Sequence, residues 1–258
     1  MESEQEPHIL TFIDNGIQKV VFNRPTKKNA LTYQMYTELT RILDSSAMDD
    51  AVRILAVTGK GDFYSSGNDF ICTFEDESFD LDQAMATMQD CINALIMYPK
   101  ILIAVVNGPA IGIAATTLAL FDIVYASDKA YFLTPFSKLG LSPEGCSSYT
   151  FPKIMGPSKS GEMLFFGQKL SAKDAAQIGF VSRVYKDDSI SEVWDHLCKI
   201  SHLSSESLSA TKKLLSRWNK EFLIEVNKHE MEQLREMFAM PNFASNIMLH
   251  FMSKKSKI

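Results

Sequence analysis

The chain has 258 residues, of which 46% are apolar and 22% charged, with 26 basic and 31 acidic side chains and a formal charge of −5. That length fits one domain of generous size or a domain with a small lobe, and the composition is that of a folded globular protein rather than a disordered one. The mildly acidic balance argues against a nucleic-acid binder, which usually shows a strongly basic face, and no apolar run reaches the roughly 20 residues needed to cross a bilayer.

The acidic opening, Met1-Glu2-Ser3-Glu4-Gln5-Glu6-Pro7, matches neither a secretory signal nor an Arg-rich transit peptide, so a soluble intracellular protein is expected. Residues 8–13 and 17–22 are β-rich runs separated by Asp14-Asn15-Gly16, a tight-turn signal, and read as a hairpin that Pro25 ends. Thr32 is placed to cap a helix to about Ser46, with Met35, Leu39, Ile42 and Leu43 on one stripe. A buried strand is predicted over 52–58, then a turn-rich loop with Gly59, Gly61 and Gly67, and an acidic segment over 74–82. A helix over 81–97 leads to a second buried strand at 101–106. The loop Asn107-Gly108-Pro109-Ala110-Ile111-Gly112 opens a helix over 113–120, followed by short strands at 123–126 and 131–133. Beyond Pro152 the pattern is mainly helical with a β-like break at 180–185. Val193, Leu197 and Ile200 share one face there, as do Met231, Leu234 and Phe238.

Cys72, Cys91, Cys146 and Cys198 form no Cys-x-x-Cys pair and read as free thiols in a reducing compartment. The five histidines avoid the middle of the chain, and His196 and His202, six residues apart, fall on different helix faces. A metal site and a Ser–His–Asp triad are both disfavoured.

Two loops carry the candidate chemistry. In Phe63-Tyr64-Ser65-Ser66-Gly67-Asn68-Asp69-Phe70, Gly67 allows a conformation that leaves the Asn68 amide pointing outward. The second, 107–113, starts a helix, where amide donors are unpaired and the dipole is positive. Two such turns facing each other bring two amides to one oxygen, the need of a developing oxyanion. On glycine content alone, both also fit ordinary strand-to-helix turns. Ser142-Pro143-Glu144 reads as a helix start that puts Glu144 in a first turn, where an exposed glutamate complementing the dipole is the plain interpretation.

Ser65-Ser66-Gly67-Asn68-Asp69, Ala104-Val105-Val106-Asn107-Gly108-Pro109-Ala110-Ile111-Gly112 and Phe121-Asp122-Ile123-Val124-Tyr125-Ala126-Ser127-Asp128, in that order, resemble the crotonase (enoyl-CoA hydratase/isomerase) superfamily. Thr134-Pro135-Phe136-Ser137-Lys138-Leu139-Gly140-Leu141-Ser142-Pro143-Glu144-Gly145-Cys146-Ser147-Ser148 narrows the likeness to the peroxisomal-type Δ3,Δ2-enoyl-CoA isomerases. The resemblance implies an α/β fold with a stacked ββα core over 1–200 and a helical trimerisation region over 201–258, within one domain unit. It further implies a CoA thioester substrate, no metal or redox cofactor, and a homotrimer or dimer of trimers.

Hydratases of this superfamily resemble one another in placing glutamates where this chain has Thr116 and Phe136. Neither residue moves a proton at neutral pH, so no carboxylate pair for adding water is expected. Glu144 matches the isomerase base, and one base suffices for a 1,3-proton shift through an enolate held by the amides of Asn68 and Ile113. Its proton affinity should be raised by an apolar pocket, for which Leu133, Phe136, Leu141 and Phe151 are the nearby candidates. A non-catalytic acyl-CoA-binding or scaffolding module is the alternative, since crotonase-like domains of chromatin proteins resemble the same Pro-x-Gly-Cys-Ser-Ser stretch. A hydratase is the third reading.

For CoA itself, Lys27 in Thr26-Lys27-Lys28-Asn29-Ala30 lies where the family meets the nucleotide part, although two loop lysines also read as solvated. Ser65, Ser66, Gly67, Asn68 and Asp69 are expected to line the pantetheine channel through backbone groups, with Asp69 capping its own loop. Ser256-Lys257-Ile258 differs from the peroxisomal address Ser-Lys-Leu only in its last residue, which points to an import receptor as partner and to the peroxisome matrix.

Overall fold

The computed structural model describes residues 6–70, 80–241 and 243. Cys72, most of the acidic segment at 74–82, His250 and the tail Ser256-Lys257-Ile258 lie outside the described residues.

Strands β1 (Ile9–Asp14) and β2 (Ile17–Phe22) pair antiparallel. Asn15 and Gly16 between them both have positive φ, 50° and 76°, as a two-residue turn matching the strand twist requires. Helix α1 (Tyr33–Met48) starts where Thr32 predicts, the Thr32 side chain accepting from the Met35 amide at 3.3 Å. Strand β3 (Ile54–Gly59), helix α2 (Leu81–Met97) and strand β4 (Ile101–Val106) follow. The six-stranded sheet has the order β1, β2, β3, β4, β6 (Ile123–Ser127), β9 (Arg183–Tyr185), parallel everywhere except the first pair. A smaller sheet joins β5 (Ala110–Ile111), β7 (Tyr131–Leu133) and β8 (Leu170–Ser171).

The central strands are buried on both faces, which is why β3 and β4 read as continuous apolar runs. Leu55, Val57, Leu102 and Ala104 face the main core under α1 and α2, whereas Ile54, Ala56, Ile103 and Val105 face a second core closed by helix α7 (Ile190–Ser201). Val193 and Leu197 supply that cover.

The expected helix over 113–120 breaks into α3 (Ile113–Thr116) and a 3-10 turn over Thr117–Leu120. The Thr116 and Thr117 hydroxyls both donate to the Ile113 carbonyl, at 3.2 and 2.7 Å, in competition with the helical ladder. Short α4 (Phe136–Leu139) precedes α5 (Ser147–Phe166), which is interrupted where Gly156, at φ 77°, meets Pro157. The remaining helices are α6 (Ala172–Gln177), α8 (Ser205–Ser216) and α9 (Lys220–Phe238). Helix α9 returns to pack on α2, where the buried Asn227 donates to the Gln89 carbonyl and to Asn93 Oδ1. No helix among the described residues is long and apolar enough to cross a membrane.

Candidate active site

The loop after β3 is fastened before it reaches its tip. Asn29 donates through Nδ2 to the Lys60 and Phe63 carbonyls, at 3.0 and 2.7 Å, and Asn107 donates to the Gly61 carbonyl at 2.7 Å. Ser65 is fully buried, its hydroxyl donating to the Asn29 carbonyl at 2.7 Å. The loop after β4 runs alongside in parallel: the Ser65 amide donates to the Pro109 carbonyl at 3.3 Å and the Ile111 amide to the Ser65 carbonyl at 3.0 Å. The two strand-to-helix turns therefore meet.

At the tip the amides separate into engaged and unengaged donors. Ser66 donates to the Lys28 carbonyl at 2.9 Å, Gly67 to Ser65 Oγ at 3.2 Å and Asp69 to the Leu31 carbonyl at 2.9 Å. Among the described residues the Asn68 amide has no partner. Neither has the amide of Ile113, first residue of α3, whose neighbour Gly112 donates to the Leu133 carbonyl at 2.8 Å. Of the five amides from Ser65 to Asp69, four are bound to protein and that of Asn68 is left over, so other backbone contacts from this run to a ligand would have to come from its carbonyls. Asp69 also does more than cap its own loop. It forms a buried ion pair with Arg24, 2.8 Å, tying the loop to the Asn23-Arg24-Pro25 turn. Lys27 is exposed on a 3-10 turn.

Glu144 does not sit in a first helical turn. Gly145 and Cys146 both take left-handed backbone angles, φ 66° and 62°, which delays α5 to Ser147 and turns Glu144 inward. It is 4% exposed, so the plain reading of a solvated glutamate fails. The turn packs on Thr116, since a Cβ at Gly145 would lie 2.6 Å from Thr116 Oγ1. Thr116 and Phe136 are both buried, and neither brings a carboxylate to the site.

Glu144 shares its surroundings with Asn68 and Tyr36. The Tyr36 hydroxyl donates to Asn68 Oδ1, and burial together with the Glu144 charge pushes that phenol well up. Burial pushes the Glu144 carboxyl up to about 8; the nearby Glu230 carboxyl adds to the rise, and a hydrogen bond with the Asn68 side chain opposes it. Asn68 and Tyr36 also wall an apolar cleft with Leu31, Met85, Met88 and Phe238, between α1, α2 and the end of α9. Glu144 itself is not among the residues that line this cleft, and neither are Leu133, Phe136, Leu141 and Phe151, the nearby apolar residues expected around it. Phe136 and Phe151 are core residues, and the cleft is built from helices distant in sequence.

Sequence reasoning also missed Glu230. This buried α9 residue accepts the Cys146 amide through Oε2 at 2.6 Å and the Ser148 amide through Oε1 at 2.8 Å. Its one sequence signal is a charged residue next to Met231 on the apolar stripe of α9. Among the described residues no cluster of three or more His, Cys, Asp or Glu is placed to hold a metal ion.

The enoyl-CoA hydratase/isomerase family model matches residues 13–256. The chain is 43% identical over 262 residues to enoyl-CoA delta isomerase 2 of Rattus norvegicus, with 100% of this chain and 66% of that protein covered. It is 42% identical over 261 residues to the peroxisomal enoyl-CoA delta isomerase 3 of Mus musculus, covering 99% and 81% of the two. It thus spans about two-thirds of the length of the rat relative. A crystal structure of an enoyl-CoA hydratase/isomerase from Pseudoalteromonas atlantica superposes with a TM-score of 0.88 at 30% identity, covering 96% of this chain and 98% of that one.

Proposed function

The chain belongs to the enoyl-CoA hydratase/isomerase family, and from that premise we propose that it moves the double bond of a 3-enoyl-CoA to the trans-2 position, with Glu144 as the sole proton carrier. The supporting observation is a buried carboxyl of raised proton affinity, beside two unengaged amides, with Thr116 and Phe136 where hydratases resemble one another in carrying glutamates. A second buried carboxyl, Glu230, has both oxygens on backbone amides and none for activating water.

In this mechanism the thioester oxygen accepts the Asn68 and Ile113 amides. The Glu144 carboxylate takes a proton from C2, and the C–H electron pair forms the dienolate, its charge on that oxygen. Glu144 then returns the proton to C4. The C3–C4 π pair becomes the new C–H bond, the double bond appears between C2 and C3, and the carbonyl re-forms. Each well-placed amide contributes about 3 kcal/mol to such an oxyanion, and the cleft from Leu31 to Phe238 offers an apolar wall for the acyl chain. The two chemical steps balance with no further reactant.

Purified protein is expected to convert 3-hexenoyl-CoA to its 2-enoyl isomer while hydrating crotonyl-CoA at less than about a hundredth of that rate, since a second acid/base group is worth roughly that much or more. Hydration at a comparable rate overturns the single-carrier mechanism. A second expectation concerns pH. The base is the ionised form, so kcat/KM should climb with pH and level off near 8, where the Glu144 carboxyl titrates. A profile already flat from about pH 6 upward contradicts it.

The same proposal extends to place and assembly. Similarity to a mouse relative named peroxisomal supports β-oxidation of unsaturated acyl chains in that organelle. A fluorescent protein fused at the N-terminus should give punctate signal that becomes diffuse when 256–258 are removed; signal diffuse from the start counts against it. Exposed Leu214, Leu215 and Trp218 beside α9 support the C-terminal helices as a trimer contact.

A further inference from the structure

We propose that Glu230 is a positioning residue for Glu144: its two oxygens clamp the turn that carries the base, and its charge acts on that base. The inference rests on Glu144 being the proton carrier and adds a second carboxyl, from α9, to the machinery.

The geometry begins with a helix start that lacks its own cap. Position 146 is the N-cap of α5, where Ser, Thr, Asp or Asn would ordinarily accept a first-turn amide. Cysteine stands there instead, with no side-chain cap and a left-handed backbone at φ 62° that disfavours any residue carrying a Cβ. Glu230 supplies from another helix what the local sequence omits, accepting the amides of Cys146 and Ser148 at 2.6 and 2.8 Å. Ser147, between those two, donates its hydroxyl to the Glu144 carbonyl at 2.7 Å. The Glu144-Gly145-Cys146-Ser147-Ser148 run is therefore held at both ends, and α9 is held in turn by Asn227 on α2. A local serine cap would close the helix start at lower cost than burying a glutamate, because a buried carboxylate loses its water. What a serine cannot bring is a negative charge.

That charge has few competitors. The titratable groups that bear on Glu144 among the described residues are Glu230 from α9 and Tyr36 from α1. The flanking thiols, Cys91 of α2 and Cys146, are pushed up by burial, Cys91 to about 12, and stay neutral at working pH. Burial raises the Glu230 carboxyl above its ordinary value, but the hydrogen bonds from Ser148 and Cys146 oppose that rise and leave Glu144 the more strongly raised of the two. A proton arriving at the site is thereby directed to Glu144.

The test uses the full chain with Glu230→Gln, which keeps the shape and one acceptor. The Glu144 carboxyl is titrated by infrared difference spectroscopy against Glu144→Gln, a readout that needs no turnover. The midpoint should fall by about one pH unit, a tenfold loss of proton affinity, with kcat reduced and KM nearly unchanged. A folded Glu230→Gln protein with the wild-type Glu144 midpoint overturns the proposal, because a purely structural cap does not move it. If Glu230→Gln does not fold, Glu230→Asp decides the matter: it keeps the charge on a shorter arm, so the Glu144 midpoint should fall and kcat with it, and a folded Glu230→Asp protein with wild-type midpoint and kcat overturns the proposal. Absence of isomerase activity in the wild type would sink the proposed reaction alone, whereas unmoved midpoints would sink this inference alone.

Discussion

Glu144→Gln is expected to keep the fold and bind CoA thioesters while lowering kcat by at least about a thousandfold. A single general acid/base group usually contributes 10²- to 10⁴-fold, and in the proposed mechanism one carboxyl performs both the removal and the return of the proton. Glutamine matches its volume and keeps a hydrogen-bonding partner for Asn68, so KM should move little, the proposed thioester contacts with the Asn68 and Ile113 amides being the same in either protein. The same substitution has a stability signature of definite sign. Glu144 titrates near 8 in the folded chain against 4.5 as its ordinary value. Between those limits the folded state holds a proton that the unfolded state has released, so stability is greatest below the ordinary value and falls as pH rises through the folded one. Glu144→Gln has no proton to lose, and its melting temperature should overtake that of the wild type above about pH 8 while showing no such advantage near pH 4. Retention of more than about a tenth of wild-type kcat would assign the proton transfer to another group.

The parts of the site that are local in sequence were legible, and those assembled from distant segments were not. The Asn15-Gly16 turn, the Thr32 cap and the apolar runs of β3 and β4 each follow from neighbouring residues, and all appear where the pattern puts them. Gly67 before Asn68 and Gly112 before Ile113 gave the two meeting turns for the same reason. Ser142-Pro143-Glu144 misled because helix-start statistics cannot register two successive left-handed residues, one of them Cys146, that a carboxylate from α9 holds in place. Strand β8 is only two residues long and pairs with β7 across the intervening α5, leaving no periodicity to read. The apolar cleft was not legible for a related cause: Met85, Met88 and Phe238 come together through the packing of α9 on α2, a contact that no spacing within either helix announces.

Gly67→Ala is expected to disable the oxyanion site without touching a reacting atom. Gly67 sits at φ 85°, and an added Cβ would lie 2.7 Å from the Ile111 carbonyl oxygen and 3.4 Å from its carbon. Both are backbone atoms of the second loop and cannot swing aside as the end of a side chain would. The loops must part, loosening the Ser65–Pro109 and Ile111–Ser65 hydrogen bonds that hold together the two loops carrying the Asn68 and Ile113 amides. Loss of one aligned donor typically lowers kcat by 10²- to 10³-fold, so a drop of at least about a hundredfold is expected, together with a lower melting temperature from the left-handed strain. Gly179→Ala separates the two effects, since Gly179 has φ 80° and nothing within 4 Å of its would-be Cβ. It should share the loss of stability and leave kcat unchanged. Equal losses of kcat in both variants would mean that backbone strain, and not the spacing of the two loops, governs the site, and a Gly67→Ala enzyme with near-normal kcat would remove the Asn68 amide from the mechanism.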